Sequence, residues 1–347
     1  MHSSVPALVI CESCVICGLF FHNNHTIMKK VGILFGQENT FPPAFVNRVN
    51  EKGAGQVQAE FVRIDKVVQG EPSGYDVIID RISQDVPFYR GFLKNEALTG
   101  CAVVNNPFWW SADEKFFNNA LATKIGVAVP RTVLLPSHSV PPDTSDASFR
   151  NLAYPMDWES IFAYVGWPAY FKPFAGGGWK NVYKLNNSEE FFRAYSETGQ
   201  LVMMLQEEVK FDMYFRCYCI DQRHVRIMPY EPRHPFHLRY VTEWETPPEI
   251  LQKVHEGVLT LNQYLGYDLN TVEFAIRDGV PLAIDFCNPA PDAEVTSVGQ
   301  GNFDWVVEAV SEMAVRKATE HVPGRDNLSW GKFVQAGAMQ KALHELG

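Results

Sequence analysis

Residues 271–292 constrain the fold more than any other stretch of this sequence. Apolar and polar residues alternate up to Asp278-Gly279, and an apolar run resumes directly after that pair. An Asp-Gly pair flanked by such sequence is a strong signal for a β-hairpin with a two-residue turn. We therefore expect two strands here, joined at Asp278-Gly279.

Two carboxylates interrupt the apolar sequence of this hairpin. Glu273 lies in the first strand and Asp285 in the second, and Asn288 follows just before Pro289. Two carboxylates and an amide carbonyl brought together across a hairpin form a hard oxygen site, which suits Mg²⁺. The alternative is a sheet with one polar face.

Composition limits the class of protein. A chain of 347 residues, 46% of them hydrophobic and 20% charged, is typical of a soluble globular protein with two or three domains. A net charge of -10 argues against nucleic acid as a main partner. Seven cysteines do not form a disulfide framework in a chain this long, and four of them fall in or beside predicted strands. We infer a reducing cytoplasm.

The first 27 residues differ from the rest. Their apolar run at 7–21 is shorter than the roughly 20 residues of a membrane-spanning helix, and no lysine or arginine precedes it as in a secretion signal. Cys11, Cys14 and Cys17 have C-x-x-C-x-x-C spacing, which would form a metal or iron-sulfur site only if a nearby histidine supplied a fourth ligand. We expect instead that Met28 is the natural start and that residues 1–27 are a disordered or mis-assigned leader.

Strands and helices alternate from residue 28 onward. Strands are predicted at 31–36, 59–64, 75–79 and 102–104. This pattern indicates a small α/β domain with a mainly parallel sheet. The sequence contains neither G-x-x-x-x-G-K-[ST] nor a G-x-G-x-x-G after a strand, so a nucleotide would have to be bound in another way.

Two lysines lie beside features that suit phosphate. Ser111 and Glu114 form a capping box, which places Lys115 in the first turn of a helix. Lys172 lies on a predicted strand that runs into Gly176-Gly177-Gly178, at the tip of a second hairpin. Glycines let backbone N–H groups approach an anion closely, and a lysine supplies a point charge. The alternative is a flexible tip with a surface lysine.

Ser188 is predicted to cap a helix at 189–195, and further polar residues follow the next strands. An apolar strand at 201–209 carries Gln206, Glu207 and Val209 at its end, and Asp212 comes shortly after it. Arg216 and Arg226 lie on the following strand pair. The subsequent loop at 233–239 contains two arginines and two histidines, which suit either an anionic substrate or a solvated loop.

Taken in order, these segments resemble the ATP-grasp family, which includes D-alanine-D-alanine ligase, glutathione synthetase and ribosomal-protein glutamate ligases. The resemblance covers roughly residues 30 to 320 and depends on the ordered set more than on one motif. It implies α/β and α+β architecture: a pre-ATP-grasp α/β domain followed by the two-lobed ATP-grasp fold. The implied division is a leader at 1–27, the pre-ATP-grasp domain at 28–110, a central lid lobe at 111–209, a metal-binding lobe at 210–323 and a tail at 324–347.

The resemblance also implies roles for the residues named above. Lys115 and Lys172 would bind phosphate, the three glycines would close over it, and main-chain groups at 206–209 would read the adenine edge. Asp212 would meet the ribose. Glu273, Asp285 and Asn288 would hold magnesium, with manganese as the alternative ion, and Arg216 or Arg226 would stabilise an acyl phosphate.

One departure from the family pattern concerns the metal ligands. The family usually has its carboxylate and asparagine two residues apart on one strand, whereas Asp285 and Asn288 are three apart. Both can face the same site only if the strand has a bulge or ends between them. Asp292 is the alternative ligand.

The activity implied by the resemblance is ATP-dependent ligation of a carboxylate to an amine, through an acyl phosphate. The expected partners are small molecules, such as an amino acid or short peptide, with no nucleic acid and no membrane, and a homodimer is left open. Two other functions remain in view: a kinase that phosphorylates a polyol, and a nucleotide-binding regulatory protein without activity.

Overall fold

The computed structural model describes residues 28–108, 114–176, 180–240, 243–323 and 327–328. The leader at 1–27 with its three cysteines, Ser111, Gly177 and Gly178, and most of the tail lie outside these ranges. The predictions that concern them stay predictions.

The first domain contains a parallel sheet of four strands in the order β2-β1-β3-β4. All four residues of β3 are buried, as expected for a strand covered on both faces. Both helices have proline in the first turn, where its missing N–H breaks no helical hydrogen bond. In chain order the elements are β1 (Lys29–Leu34), α1 (Phe41–Lys52), β2 (Val57–Phe61), β3 (Val77–Asp80), α2 (Pro87–Leu98) and β4 (Ala102–Val104).

The second sheet belongs to the predicted lid lobe. It is antiparallel, in the order β5-β8-β6-β7, and an aromatic core including Trp158, Phe171 and Phe191 joins it to two helices. The cap of α5 is Asn187, one residue before the expected Ser188, and its side chain accepts from the Glu190 N–H at 2.9 Å. The elements are α3 (Lys115–Lys124), β5 (Thr132–Leu135), α4 (Trp158–Val165), β6 (Ala169–Pro173), β7 (Tyr183–Leu185), α5 (Ser188–Glu197) and β8 (Met203–Glu207).

The third sheet is antiparallel as well, in the order β10-β9-β11-β12. α6 packs closely on it at Gly257, where a Cβ atom would lie only 2.8 Å from Cζ of Phe274. The glycine thus has a packing role that its weak helix propensity would not suggest. The elements are β9 (Met213–Ile220), β10 (His224–Pro229), α6 (Pro248–Leu265), β11 (Leu269–Arg277), β12 (Val280–Asp285), α7 (Val295–Val298) and α8 (Gln300–Glu320).

The last helix returns to the first domain. α8 packs against α1, β1 and β3, and one buried cluster contains Val31 and Phe45 of the first domain together with Tyr218 and Val310. The first domain and the third sheet therefore share a hydrophobic core.

The hairpin of β11 and β12 has the predicted turn. Asp278 and Gly279 both have positive φ, 52° and 73°, as in a type I′ turn. Glu273 pairs with Asp285 but Phe274 pairs with Ala283, so Ile284 is an extra residue in β12. The strand then ends at Asp285. The bulge therefore lies before Asp285, and it is the end of the strand that allows Asp285 and Asn288, three residues apart, to face the same site.

No helix within the described ranges is long and apolar enough to cross a lipid bilayer.

Candidate functional site

A cavity of about 1270 Å³ opens between the second and third sheets. The second sheet lines it with Lys172 and Gln206, and the third sheet with Arg216, Glu273 and Asp285. The sequence places these residues up to 113 positions apart (285 minus 172), so the cavity exists only because the two sheets face each other.

Both predicted lysines line this cavity. Lys172 is on β6, and its Nζ donates to Oε1 of Gln206 at 2.8 Å. Burial, and then the charge of Lys115, lower the pKa of Lys172 to about 8. Lys115 begins α3, and its Nζ lies 3.6 Å from Oδ1 of Asp285, whose charge raises the pKa of Lys115. Two ammonium groups whose pKa values are shifted in opposite directions therefore line the same cavity.

The strand that was predicted to read adenine reaches the same cavity. Gln206 binds Lys172 and also donates from Nε2 to Oγ1 of Thr132 at 2.8 Å. The Glu207 carboxylate is bound by Arg131, with Nη2 to Oε2 at 2.8 Å. Its side chain thus fixes the end of β8, and main-chain groups remain the candidates for base recognition. Val209 lines the cavity, as does Gly176, whose φ of 86° favours glycine.

A charged row crosses the third sheet on the cavity side. The register pairs Arg216 of β9 with Glu273 of β11, and Glu273 with Asp285 of β12. Nε of Arg216 lies 3.7 Å from Oε1 of Glu273, and the Tyr214 hydroxyl donates to Oε2 at 2.6 Å. Glu273 is thereby held from two sides.

The two carboxylates have different environments. The side chain of Glu273 is 16% exposed and that of Asp285 is 44% exposed. Burial raises the pKa of Glu273. Burial acts in the same direction on Asp285, but the cations Lys115 and Lys172 outweigh it and hold the pKa of Asp285 below its usual value.

The donor set fits a hard divalent cation. Asn288 lines the same cavity as Glu273 and Asp285, so two carboxylates and an amide oxygen face one space, as magnesium prefers. Within the described ranges there is no group of three or more His, Cys, Asp or Glu side chains that could hold a metal. The candidate site depends on an amide as its third ligand.

Several solved structures are similar in fold to this chain. A RimK domain protein ATP-grasp from Sphaerobacter thermophilus has a TM-score of 0.60 at 14% identity, over 82% of this chain and 99% of that one. D-alanine–D-alanine ligase from Bacillus anthracis, complexed with ATP, has a TM-score of 0.58 at 14% identity, over 84% and 97%. The ATP-grasp ligase PsnB, complexed with minimal precursor, Mg and ADP, has a TM-score of 0.52 at 15% identity, over 84% and 98%.

The chain has the ATP-grasp fold. No protein-family model matches it, and no curated protein is similar to it in sequence. The likeness to the ATP-grasp structures is therefore one of architecture, and the roles of the residues have to be argued from the cavity itself.

Three predicted site residues lie outside the lining of this ATP-grasp cavity. Arg226 binds Oδ1 of Asn302 at 2.6 Å and lies over the ring of Trp305. Asp212 is an exposed residue between β8 and β9. Asp292, the alternative ligand, accepts from the Glu294 N–H at 3.1 Å and from the Ser297 hydroxyl, so it fixes the start of α7. Neither carboxylate is brought to the metal candidates.

Strand register explains why Arg216 lines the ATP-grasp cavity and Arg226 does not. Arg226 pairs with Tyr218, two residues along β9 from Arg216. At that level α8 covers the sheet, and Trp305 stacks on Tyr218 with ring centroids 6.1 Å apart. The last helix therefore closes the face that Arg226 occupies.

Sequence reasoning missed several residues that line the ATP-grasp cavity, among them Tyr214 and three residues of the first domain. Tyr214 is two residues before Arg216 on β9 and so faces the same side; that spacing was the available signal. The first domain also contributes Gln84, Asp85 and Arg90. No local pattern marks these three, because they reach the cavity only through the packing of the first domain.

Proposed function

We propose that this protein is an ATP-dependent ligase that activates a carboxylate and joins it to an amine. The observation that carries the proposal is the convergence of Lys115, Lys172, Arg216 and the Glu273, Asp285 and Asn288 set on one cavity of an ATP-grasp fold. The three cationic side chains would face the phosphates of a bound nucleotide, and the oxygen atoms that would bind a metal line the same cavity.

The nucleotide would lie between the two sheets. Lys115 and Lys172 would neutralise its phosphates, and the loop of Gly176, Gly177 and Gly178 would cover them with backbone N–H groups. Main-chain groups at 206–209 would meet the adenine edge. The structure of D-alanine–D-alanine ligase complexed with ATP supports nucleotide binding by this fold.

Glu273, Asp285 and Asn288 would hold magnesium. Bound there, the ion would neutralise charge on the phosphate oxygens. The residues of this chain keep the ligands in place: Arg216 and Tyr214 hold Glu273, while Lys115 stabilises the charged form of Asp285. The PsnB complex with Mg and ADP supports this choice of ion over manganese.

Catalysis would consist mainly of positioning and charge neutralisation. An oxygen of the substrate carboxylate attacks the terminal phosphorus of ATP, ADP leaves, and an acyl phosphate forms. An amine then attacks the acyl carbon, inorganic phosphate leaves, and a proton is lost from nitrogen to give the amide. Arg216 would stabilise the developing oxyanion, and its low exposure of 11% and its position in the charged row support this role.

The substrates would be an amino acid or short peptide as carboxylate and a second such molecule as amine. Arg233 and Arg239 line the same cavity beyond Arg216 and would bind anionic groups of these molecules. We also propose a reducing cytoplasm, because Cys101, Cys217 and Cys219 are buried and are not in disulfides. Dimer formation stays a prediction.

The test is ADP release from ATP and Mg²⁺ across a panel of amino acids and short peptides, supplied singly and in pairs, with mass spectrometry of the products. We expect turnover only with a pair, and a product mass equal to their condensation. Lys172→Ala and Glu273→Ala should each abolish turnover and still fold, because both side chains face the cavity. A stable phosphoester from a polyol, or binding of ATP without turnover on any panel, would contradict the ligase.

A further inference from the structure

The proposed ligand Asn288 lies where strand pairing no longer fixes the chain. β12 ends at Asp285, so residues 286–288 have no partner strand to set their position. The side chain of Asn270 takes over this role. Its Oδ1 accepts from the Asn288 N–H at 2.7 Å, and its Nδ2 donates to the Phe286 carbonyl at 2.8 Å. One side chain thereby binds the loop at both ends.

Asn270 is itself held from the helix that backs the sheet. Its Nδ2 also donates to Oδ1 of Asn262 at 2.9 Å, and Nδ2 of Asn262 donates to the Val258 carbonyl at 2.7 Å. Both asparagines are fully buried, at 0% exposure. Two bonds of the Asn270 amide thus point to the loop, and one points to α6.

A contribution to folding stability is a weak explanation for the presence of these two buried amides. They are enclosed between α6 and β11, among the apolar residues Val258, Leu261 and Val272. Replacing two hydrogen-bonded polar groups by apolar groups of similar shape is often close to neutral. A fully satisfied buried network does, however, fix one geometry, and here that geometry belongs to the loop that carries Asn288.

Other side chains bind the later part of the same loop. Nδ2 of Asn105 lies 3.5 Å from the Pro289 carbonyl, and Nη2 of Arg81 donates to the Pro291 carbonyl at 2.6 Å. Neither of these two side chains forms a hydrogen bond with the peptide groups between Phe286 and Asn288. Asn270 is therefore the side chain that sets the distance between the end of β12 and the amide ligand.

We propose that Asn270 is the positioning residue of the divalent cation site, acting through the main chain of residues 286–288 on the Asn288 amide. This inference rests on the proposed function, since it needs Glu273, Asp285 and Asn288 to bind a metal. It assigns to a fully buried residue, which does not line the cavity, a role in metal affinity.

The test compares Asn270→Val with Asn262→Leu in the full chain. Both remove one amide from the same buried network, so a merely structural role predicts similar effects. The probe is Mn²⁺ titrated calorimetrically into protein saturated with ADP, and metal-free ADP binding is measured in parallel. Because residues that orient metal ligands typically contribute 10–100-fold to affinity, Asn270→Val should raise the Mn²⁺ dissociation constant by about that factor. Asn262→Leu should stay close to wild type, because both loop bonds of Asn270 remain.

Metal-free ADP affinity should be unchanged in both variants, since Lys115 and Lys172 are not touched. If Asn270→Val does not fold, Asn270→Ser removes the same two loop bonds with a smaller uncharged side chain and carries the same expectation. Equal Mn²⁺ affinities in wild type and the Asn270 variants would overturn the positioning role alone. Failure of wild type to bind either Mn²⁺ or Mg²⁺ in the presence of ADP would overturn the metal site, and with it the proposed function.

Discussion

Lys172 shows how one partly buried residue links charge to ligand binding. Its ammonium is partly desolvated and lies in the field of Lys115, and these two causes lower its pKa to about 8. Gln206 is the hydrogen-bond partner of its Nζ. A cation in this state is poorly solvated before a ligand arrives, so phosphate oxygens gain a strong partner when they displace water.

We therefore expect ATP binding to depend on pH through Lys172. The folded-state pKa lies below the ordinary 10.5, so the ammonium is present below about pH 8 and is lost as pH rises through that value. Metal-free ATP affinity should fall above pH 8, by at most about tenfold per pH unit for one proton. Lys115 should not contribute, because Asp285 raises its pKa.

The measurement is calorimetry of metal-free ATP binding between pH 7 and 9.5 for wild type and Lys172→Met. The variant should bind more weakly at pH 7 and show no slope in this window. A flat profile for wild type, or an equal slope in the variant, would refute the assignment of the titration to Lys172.

At the scale of elements, the hairpin of β11 and β12 carries the metal candidates on a defined register. The turn sets which residues pair, and the bulge at Ile284 then brings Asp285 directly opposite Glu273. Without the extra residue, the alternation of side chains along β12 would turn Asp285 to the other face. Turn and bulge together determine the site.

Two glycine substitutions test the turn against an ordinary helix position. Gly279→Ala should destabilise the protein by roughly 1–2 kcal/mol, because φ at this position is 73° and an L side chain is strained there. Gly91 lies in α2, where an added methyl group would meet open space and φ is not positive. Gly91→Ala should therefore stabilise by roughly 0.5–1 kcal/mol.

Urea unfolding of both variants measures these free energies. The two substitutions should change the free energy of unfolding in opposite directions, although both replace glycine by alanine. If both substitutions shifted stability in the same direction, turn geometry would not be what requires glycine at position 279.

At the scale of the whole molecule, a buried arginine joins the first domain to the loop beyond β12. The side chain of Arg81 is 1% exposed, binds Glu38 in a two-pronged ion pair and donates to the Pro291 carbonyl. It also lies 4.9 Å from the ring centroid of Phe41. The first domain is thereby connected to the part of the chain that contains the third sheet by this arginine as well as by the shared core.

Arg81→Met should destabilise the protein by about 3–5 kcal/mol, because it leaves the Glu38 carboxylate without its partner in a largely buried site. The matched control is Arg193→Ala, which removes an exposed ion pair with Glu189 on α5 and should change stability by at most about 0.5 kcal/mol. Both free energies come from urea unfolding. Similar values for the two variants would show that burial does not strengthen the Arg81 contacts.

Most elements and the polar residues that they carry could be predicted from local sequence. Periodicity and turn residues extend over only a few positions, so the strand with Lys172 and the turn at Asp278-Gly279 could be predicted. The pairing of Glu273 with Asp285 could not, because it depends on the bulge at Ile284. The N-cap of α5 was predicted at Ser188, but it is Asn187, one residue earlier. Both residue types are favourable N-caps, so the sequence does not distinguish them.

Which polar residues share the cavity depends on packing between distant parts of the chain. Arg216 and Arg226 lie on paired strands and on the same face of the sheet, and the packing of α8 separates them. Asp285 and Asp292 were both candidates, and the bulge beside Asp285 and the hydrogen bonds of Asp292 with Glu294 and Ser297 distinguish them. The physical reason is that a side chain's surroundings depend on contacts between residues far apart in the chain, which no local pattern records.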